Sequence, residues 1–96
     1  MTAQPDRQHL NLRVRGVVQG VCFRACACEQ ARRLGIAGFV RNEPDGSVMI
    51  EAEGAEAGVA AFTAWCRQGP LGAVVDEMGA TPGPLKNYHG FGIRYS

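Results

Sequence analysis

Leu10, Leu12 and Val14 alternate with Asn11, Arg13 and Arg15, the period of a strand with one face buried. The alternation stops at Gly16-Val17-Val18-Gln19-Gly20-Val21, a segment containing two glycines. From about Cys22 to Leu34 the period becomes helical. Phe23, Ala27, Gln30, Ala31 and Leu34 fall near one face, and Arg32 and Arg33 occupy the last turn, where cations suit the helix dipole. Gly35 is expected to end this helix in a left-handed conformation, with Ile36 folding back on the last turn. Ala37 to Glu43 reads as a second strand, Pro44-Asp45-Gly46 as a turn, and Ser47 to Glu53 as the returning strand. In that strand Val48 and Ile50 share one face while Glu51 and Glu53 share the other. A second helix, Ala55 to Arg67, carries Val59, Phe62 and Cys66 in a stripe and stops at Gly69-Pro70. Ala73 to Met78 forms a fourth strand, Gly79 to Gly90 a Gly/Pro-rich loop, and Phe91 to Tyr95 a short last strand.

Strand, helix, strand, strand, helix, strand is two βαβ units in tandem. That order predicts an α+β fold of the ferredoxin-like, split βαβ kind, an antiparallel sheet with both helices on one face. The two halves repeat the pattern without repeating the sequence. With 96 residues there is chain for one core, and no linker or low-complexity tract divides it. Residues 1–8 read as a polar N-terminal tail and residues 9–96 as the domain.

Composition narrows the function. An apolar fraction of 46% suits a folded globular chain. A net charge of +1, with scattered Lys and Arg, sets up no field to recruit nucleic acid or an acidic membrane. The first dozen residues carry no apolar stretch of the secretory kind, and no run is long enough to span a bilayer. The expected compartment is therefore the cytoplasm, with Cys22, Cys26, Cys28 and Cys66 as reduced thiols. Cys22, Cys26 and Cys28 do not follow a zinc spacing, and they read as small side chains packing a helix rather than a metal site. The two histidines, His9 before the first strand and His89 in the last loop, read as surface residues.

The candidate chemistry lies where the first strand meets the first helix. Gly16 and Gly20 let the backbone curl so that successive N–H groups point inward at a helix start, which suits an anion. Such turns also precede many helices that bind nothing. Arg24 stands in the first helical turn, where the dipole disfavours a cation by up to about 1 kcal/mol. A bound phosphate would account for it through bidentate hydrogen bonds, and a solvated surface arginine is the alternative. Asn42 at the end of the second strand is, on its own, equally a turn residue.

Val14-Arg15-Gly16-Val17-Val18-Gln19-Gly20-Val21-Cys22-Phe23-Arg24 resembles the acylphosphatase signature V-x-G-x-V-Q-G-V-x-F-R. A second signature of that family is similar to Gly38-Phe39-Val40-Arg41-Asn42 with Asp45-Gly46-Ser47-Val48, and Gly54 closes it. Phe91-Gly92-Ile93-Arg94-Tyr95 resembles the family's last strand, so the likeness runs from Leu10 to Tyr95. The resemblance implies an enzyme that hydrolyses small-molecule acyl phosphates without metal or cofactor. It implies Arg24 and Asn42 as catalytic residues and Gly16, Val17, Val18, Gln19, Gly20, Val21 and Cys22 as a phosphate-binding loop. Cys22 falls on a variable signature position, and Asp45-Gly46 reads as turn chemistry. Inorganic phosphate or sulfate is the expected competing anion, and a monomer the expected state. An anion-binding regulatory module, a domain of a larger carbamoyl-phosphate-handling protein and an RNA-binding module are the other readings of the same fold.

Overall fold

The computed structural model describes residues 6–95, so most of the expected polar tail, residues 1–5, lies outside the described residues, as does Ser96. The alternation at Leu10, Leu12 and Val14 belongs to β1 (Arg7–Val17), which takes in Arg7 and Gln8 as well. Its central partner is β3 (Val48–Ala55), antiparallel, with Leu12 opposite Ile50 and Val14 opposite Val48. β2 (Ala37–Asn42) lies on the far side of β3, and β4 (Val74–Pro82) on the far side of β1. β5 (Phe91–Arg94) completes the sheet in the order β4-β1-β3-β2-β5.

Helices α1 (Phe23–Arg33) and α2 (Glu56–Gln68) cover one face. Phe23, Ala27 and Ala31 of α1 and Val59, Phe62 and Cys66 of α2 meet Leu12, Val14, Val40, Val48, Ile50 and Ala52 in one core. Phe62 packs edge-on against Phe91 and stacks with Trp65, anchoring β5 beneath the helices. α1 ends as expected: Gly35 is left-handed (φ 70°), its N–H reaches the carbonyl of Arg32, and the Ile36 N–H that of Ala31.

The sheet is mixed rather than wholly antiparallel, because β5 pairs parallel to β2, with Ile93 beside Val40. β4 also outruns the expected Ala73–Met78, taking Gly79 to Pro82 from the loop. β1 is long enough to pair with them, and Pro82 is tolerated because β4 is an edge strand.

The largest departure concerns the sheet face turned away from the helices. His9 is in β1, not before it, and is 2% exposed. It points to the face of Glu51 and Glu53, which are also buried. The His9 Nδ1 donates to Glu53 at 2.7 Å. The same carboxylate accepts the N–H groups of Lys86 and Tyr88, while Tyr88 Oη and Lys86 Nζ reach Glu51 at 2.8 and 3.0 Å. Segment 83–90 thus crosses the sheet as a strap, and its backbone donors satisfy a buried carboxylate that would otherwise be very costly.

Burial pushes the Glu53 carboxyl up, but the Lys86 and Tyr88 N–H groups and the His9 ring outweigh it, so it titrates below its ordinary range. A carboxyl lowered by folding stabilises the fold above its unfolded pKa and ceases to do so as pH falls through its folded one. Glu53→Gln is therefore expected to lower stability near neutrality by about 3 kcal/mol, since it breaks a buried charged network. The deficit should narrow in acid, where the parent loses its own advantage. Urea titrations across pH test this, and a deficit that stays constant with pH would show that the carboxylate charge is irrelevant.

Candidate active site

The expected loop from Gly16 to Cys22 divides in two. Gly16 and Val17 are still paired with Val75 and Val74 of β4, across a bulge that falls between Arg15 and Gly16. Glycine is required at 16: φ is 131°, and a Cβ would meet the Val74 carbonyl oxygen at 2.1 Å. The loop proper is Val18 to Cys22. It turns through a positive φ at Gly20 (76°) and again at Cys22 (61°), the residue immediately before α1. A left-handed cysteine costs about 1–2 kcal/mol, and such strain gathers at functional sites.

Among the described residues, no N–H from Val18 to Cys22 donates to a backbone carbonyl. α1 begins without a side-chain cap and without an acidic residue in its first turn. A run of N–H donors without backbone acceptors thus meets the positive end of a helix dipole, an arrangement suited to an anion.

Register brings Asn42 to the same place. Val40 faces the core opposite Ile50, and Asn42, two residues on and opposite Val48, points to the same side at the strand's end. Parallel pairing with β2 carries Ile93 to the same end of the sheet, and Tyr95 follows it. The result is a cavity of about 390 Å³ whose walls include Val18, Gly20, Cys22, Arg24, Asn42, Ile93 and Tyr95.

Two polar groups in that wall lack the partners they would ordinarily have. The Asn42 Oδ1 is buried with no hydrogen-bond partner among the described residues, and orphaned buried acceptors are uncommon enough to need a reason. Arg24 makes no ion pair among the described residues, although Arg13, Arg15 and Arg41 all pair with Glu43 or Asp45 nearby. Its guanidinium instead lies over the Tyr95 ring, 5.1 Å from the centroid, which holds the side chain without neutralising it.

Of the residues expected from sequence, Val18, Gly20, Cys22, Arg24 and Asn42 meet at this cavity. Gly16 and Val17 lie in the ladder behind it, and Gln19 points to the β2–β3 turn. Tyr95 was missed, since nothing in its neighbourhood in the chain reveals what β5 will sit beside. Asp45 behaves as turn chemistry: its Oδ1 accepts the N–H and hydroxyl of Ser47, which together with Arg15 and Arg13 holds its carboxyl below the usual range despite some desolvation. All four cysteines are free. Cys28 and Cys66 pack in the core as expected, and burial pushes both thiols up. Cys22 does not pack, because the left-handed turn before α1 leaves it exposed at the cavity.

Comparison with known proteins places the chain in a family. The Acylphosphatase family model matches residues 10–93. An acylphosphatase of a Nocardioides species is 46% identical over 88 residues, covering 92% of this chain and 89% of that one. The crystal structure of acylphosphatase from Bacillus subtilis superposes with a TM-score of 0.89 at 34% identity, over 92% of this chain and 99% of that one. Full-length HypF in its phosphate- and nucleotide-bound form contains a similar unit, with a TM-score of 0.87 and 28% identity. The match covers 98% of this chain but 12% of HypF. The chain belongs to the acylphosphatase family, and its reaction is the hydrolysis of acyl phosphates.

Proposed function

We propose that Arg24 and Asn42 are the catalytic residues of this hydrolysis and that the N–H groups of the Gly16–Cys22 segment, chiefly those from Val18 to Cys22, hold the phosphoryl group. One observation carries the reading: among the described residues, an arginine without an ion pair and an amide oxygen without a hydrogen-bond partner share the wall of one cavity, beside a run of N–H donors without backbone acceptors. Arg24 and the loop donors stabilise charge on the equatorial phosphoryl oxygens, which is most of what phosphoryl transfer asks of a protein. The Asn42 Oδ1 accepts a hydrogen bond from the attacking water and holds it in line with the leaving group.

The P–O bond to the acyl group breaks as water bonds to phosphorus. The departing carboxylate, with a pKa of about 4–5 by analogy with side-chain carboxyls, needs no proton. The water's proton passes to a phosphoryl oxygen, so neither histidine is needed. That suits their places, His9 inside the strap network and His89 on the exposed strap.

In this reading the reaction needs neither cofactor nor metal, because Arg24 supplies the charge that a divalent ion would otherwise bring. No three His, Cys, Asp or Glu side chains among the described residues group as a metal site would require. The cavity is complete within one chain, which favours a monomer, and the four free thiols suit the cytoplasm. No helix among the described residues is long and apolar enough to cross a membrane.

Turnover of an aryl acyl phosphate should persist in excess EDTA and be inhibited competitively by inorganic phosphate or sulfate. Phosphate at a hundred times its dissociation constant should also stabilise the fold by roughly 2.7 kcal/mol. Activity lost in EDTA and restored by a divalent ion would overturn the mechanism.

A further inference from the structure

The cradle and Asn42 belong to different parts of the chain, yet in-line attack needs them fixed relative to one another. The cradle follows β1, whereas Asn42 is the last residue of β2, just before the turn to β3. One side chain spans the two. The Gln19 Nε2 donates to the carbonyls of Glu43 at 2.8 Å and Ser47 at 2.9 Å, the two residues that close the turn beyond Asn42. Both carbonyls already have backbone donors: the Glu43 N–H reaches Ser47 O at 2.9 Å, and the Gly46 N–H reaches Glu43 O at 3.1 Å. The turn is therefore closed without Gln19, and the two extra bonds serve only to tie it to the cradle.

We propose that Gln19 is a positioning residue for the hydrolysis: its side chain fixes the distance between the phosphate cradle and Asn42. The proposal rests on reading Asn42 as the residue that holds the water. Phosphate alone is indifferent to this tether, since it meets the cradle and Arg24. The transition state is sensitive to it, because water and phosphorus must approach along one line. A misplacement of about an ångström can cost on the order of a hundred-fold in rate.

The test is a double-mutant cycle in kcat, with the inhibition constant for inorganic phosphate measured on every variant. Gln19→Met keeps the length of the side chain and removes both donors; Gln19→Asn keeps the amide but shortens the reach. Each should leave phosphate inhibition within a few-fold of the parent and lower kcat by about ten- to a hundred-fold. In the Asn42→Ala background the same Gln19 substitution should cost almost nothing further, because no held water remains to misplace. A merely structural Gln19 would lower kcat equally in both backgrounds, and a cradle residue would show its loss in phosphate inhibition. Either outcome overturns the proposal. Full turnover in Asn42→Ala would overturn the reading of Asn42 and the tether with it. An impaired Asn42→Ala beside an unimpaired Gln19→Met would overturn the tether alone.

Discussion

Arg24→Ala is expected to lose both phosphate affinity and turnover, with kcat/KM for an acyl phosphate falling about a thousand-fold. The guanidinium is the one strong positive charge at the cradle that no carboxylate among the described residues neutralises. Its neighbour Tyr95 is 79% exposed and offers only a ring face, so the five N–H donors of the fork remain available to an anion. Phosphate is charged in the ground state and its oxygens stay charged as the bond breaks, so one contact serves both stages. Losing it should therefore raise the inhibition constant of phosphate as well as lower kcat. Removing a single preorganised charge-stabilising group typically costs a hundred- to a thousand-fold, and arginines at transferring phosphoryl groups are worth about a thousand-fold or more. Arg24→Lys should not restore the rate, because a point charge cannot reproduce a two-pronged contact. Steady-state kinetics with phosphate as inhibitor decide the matter. An Arg24→Ala protein that binds phosphate as tightly as the parent would remove Arg24 from the anion site.

Some of this was legible in the chain because burial on one face leaves a period. Leu10, Leu12 and Val14 announce β1, and Gly35-Ile36 announces the end of α1, since each signal is local. Features set by a distant partner left no such mark. Gly79 to Pro82 show no alternation because β4 is an exposed edge, and they are strand only because β1 extends far enough to pair with them. Four residues of β5 cannot say whether their neighbour runs parallel, a matter settled by the path of the strap across the sheet. His9 looked like a surface residue because its partner Glu53 is 44 positions away, and the strap donors that make the burial tolerable are further still.

The site divides along the same line. Arg24, Asn42 and the loop stood out through two short motifs, each contiguous in the chain. What the motifs could not supply is the meeting itself. Asn42 reaches the helix side of the sheet because it shares parity with Val40, and Tyr95 reaches Arg24 because it shares parity with Ile93. Parity can be read within one strand, but which strand ends come together depends on register between strands, which no single strand encodes. The N–H groups from Val18 to Cys22, without backbone acceptors among the described residues, follow from the positive φ at Gly20, which the glycine foretold, and at Cys22, which residue type did not.

Asn42→Ala should separate binding from chemistry where Arg24→Ala does not. The Asn42 Oδ1 is buried, unpartnered among the described residues, and offers an acceptor rather than a charge. A phosphate oxygen is itself an acceptor, so this atom gains little from phosphate, whereas a water can donate to it. Truncation to alanine should leave phosphate inhibition close to that of the parent while kcat falls on the order of a hundred- to a thousand-fold. It should not unfold the protein. The Asn42 backbone keeps its place opposite Val48, and the loss of a buried acceptor with no partner removes a cost rather than a bond. Stability equal to or slightly above the parent's is thus expected beside the loss of rate. That combination distinguishes a residue kept for the reaction from one kept for the fold. Normal turnover in Asn42→Ala, or a loss of stability that tracks the loss of rate, would transfer the water-holding role elsewhere in the cavity.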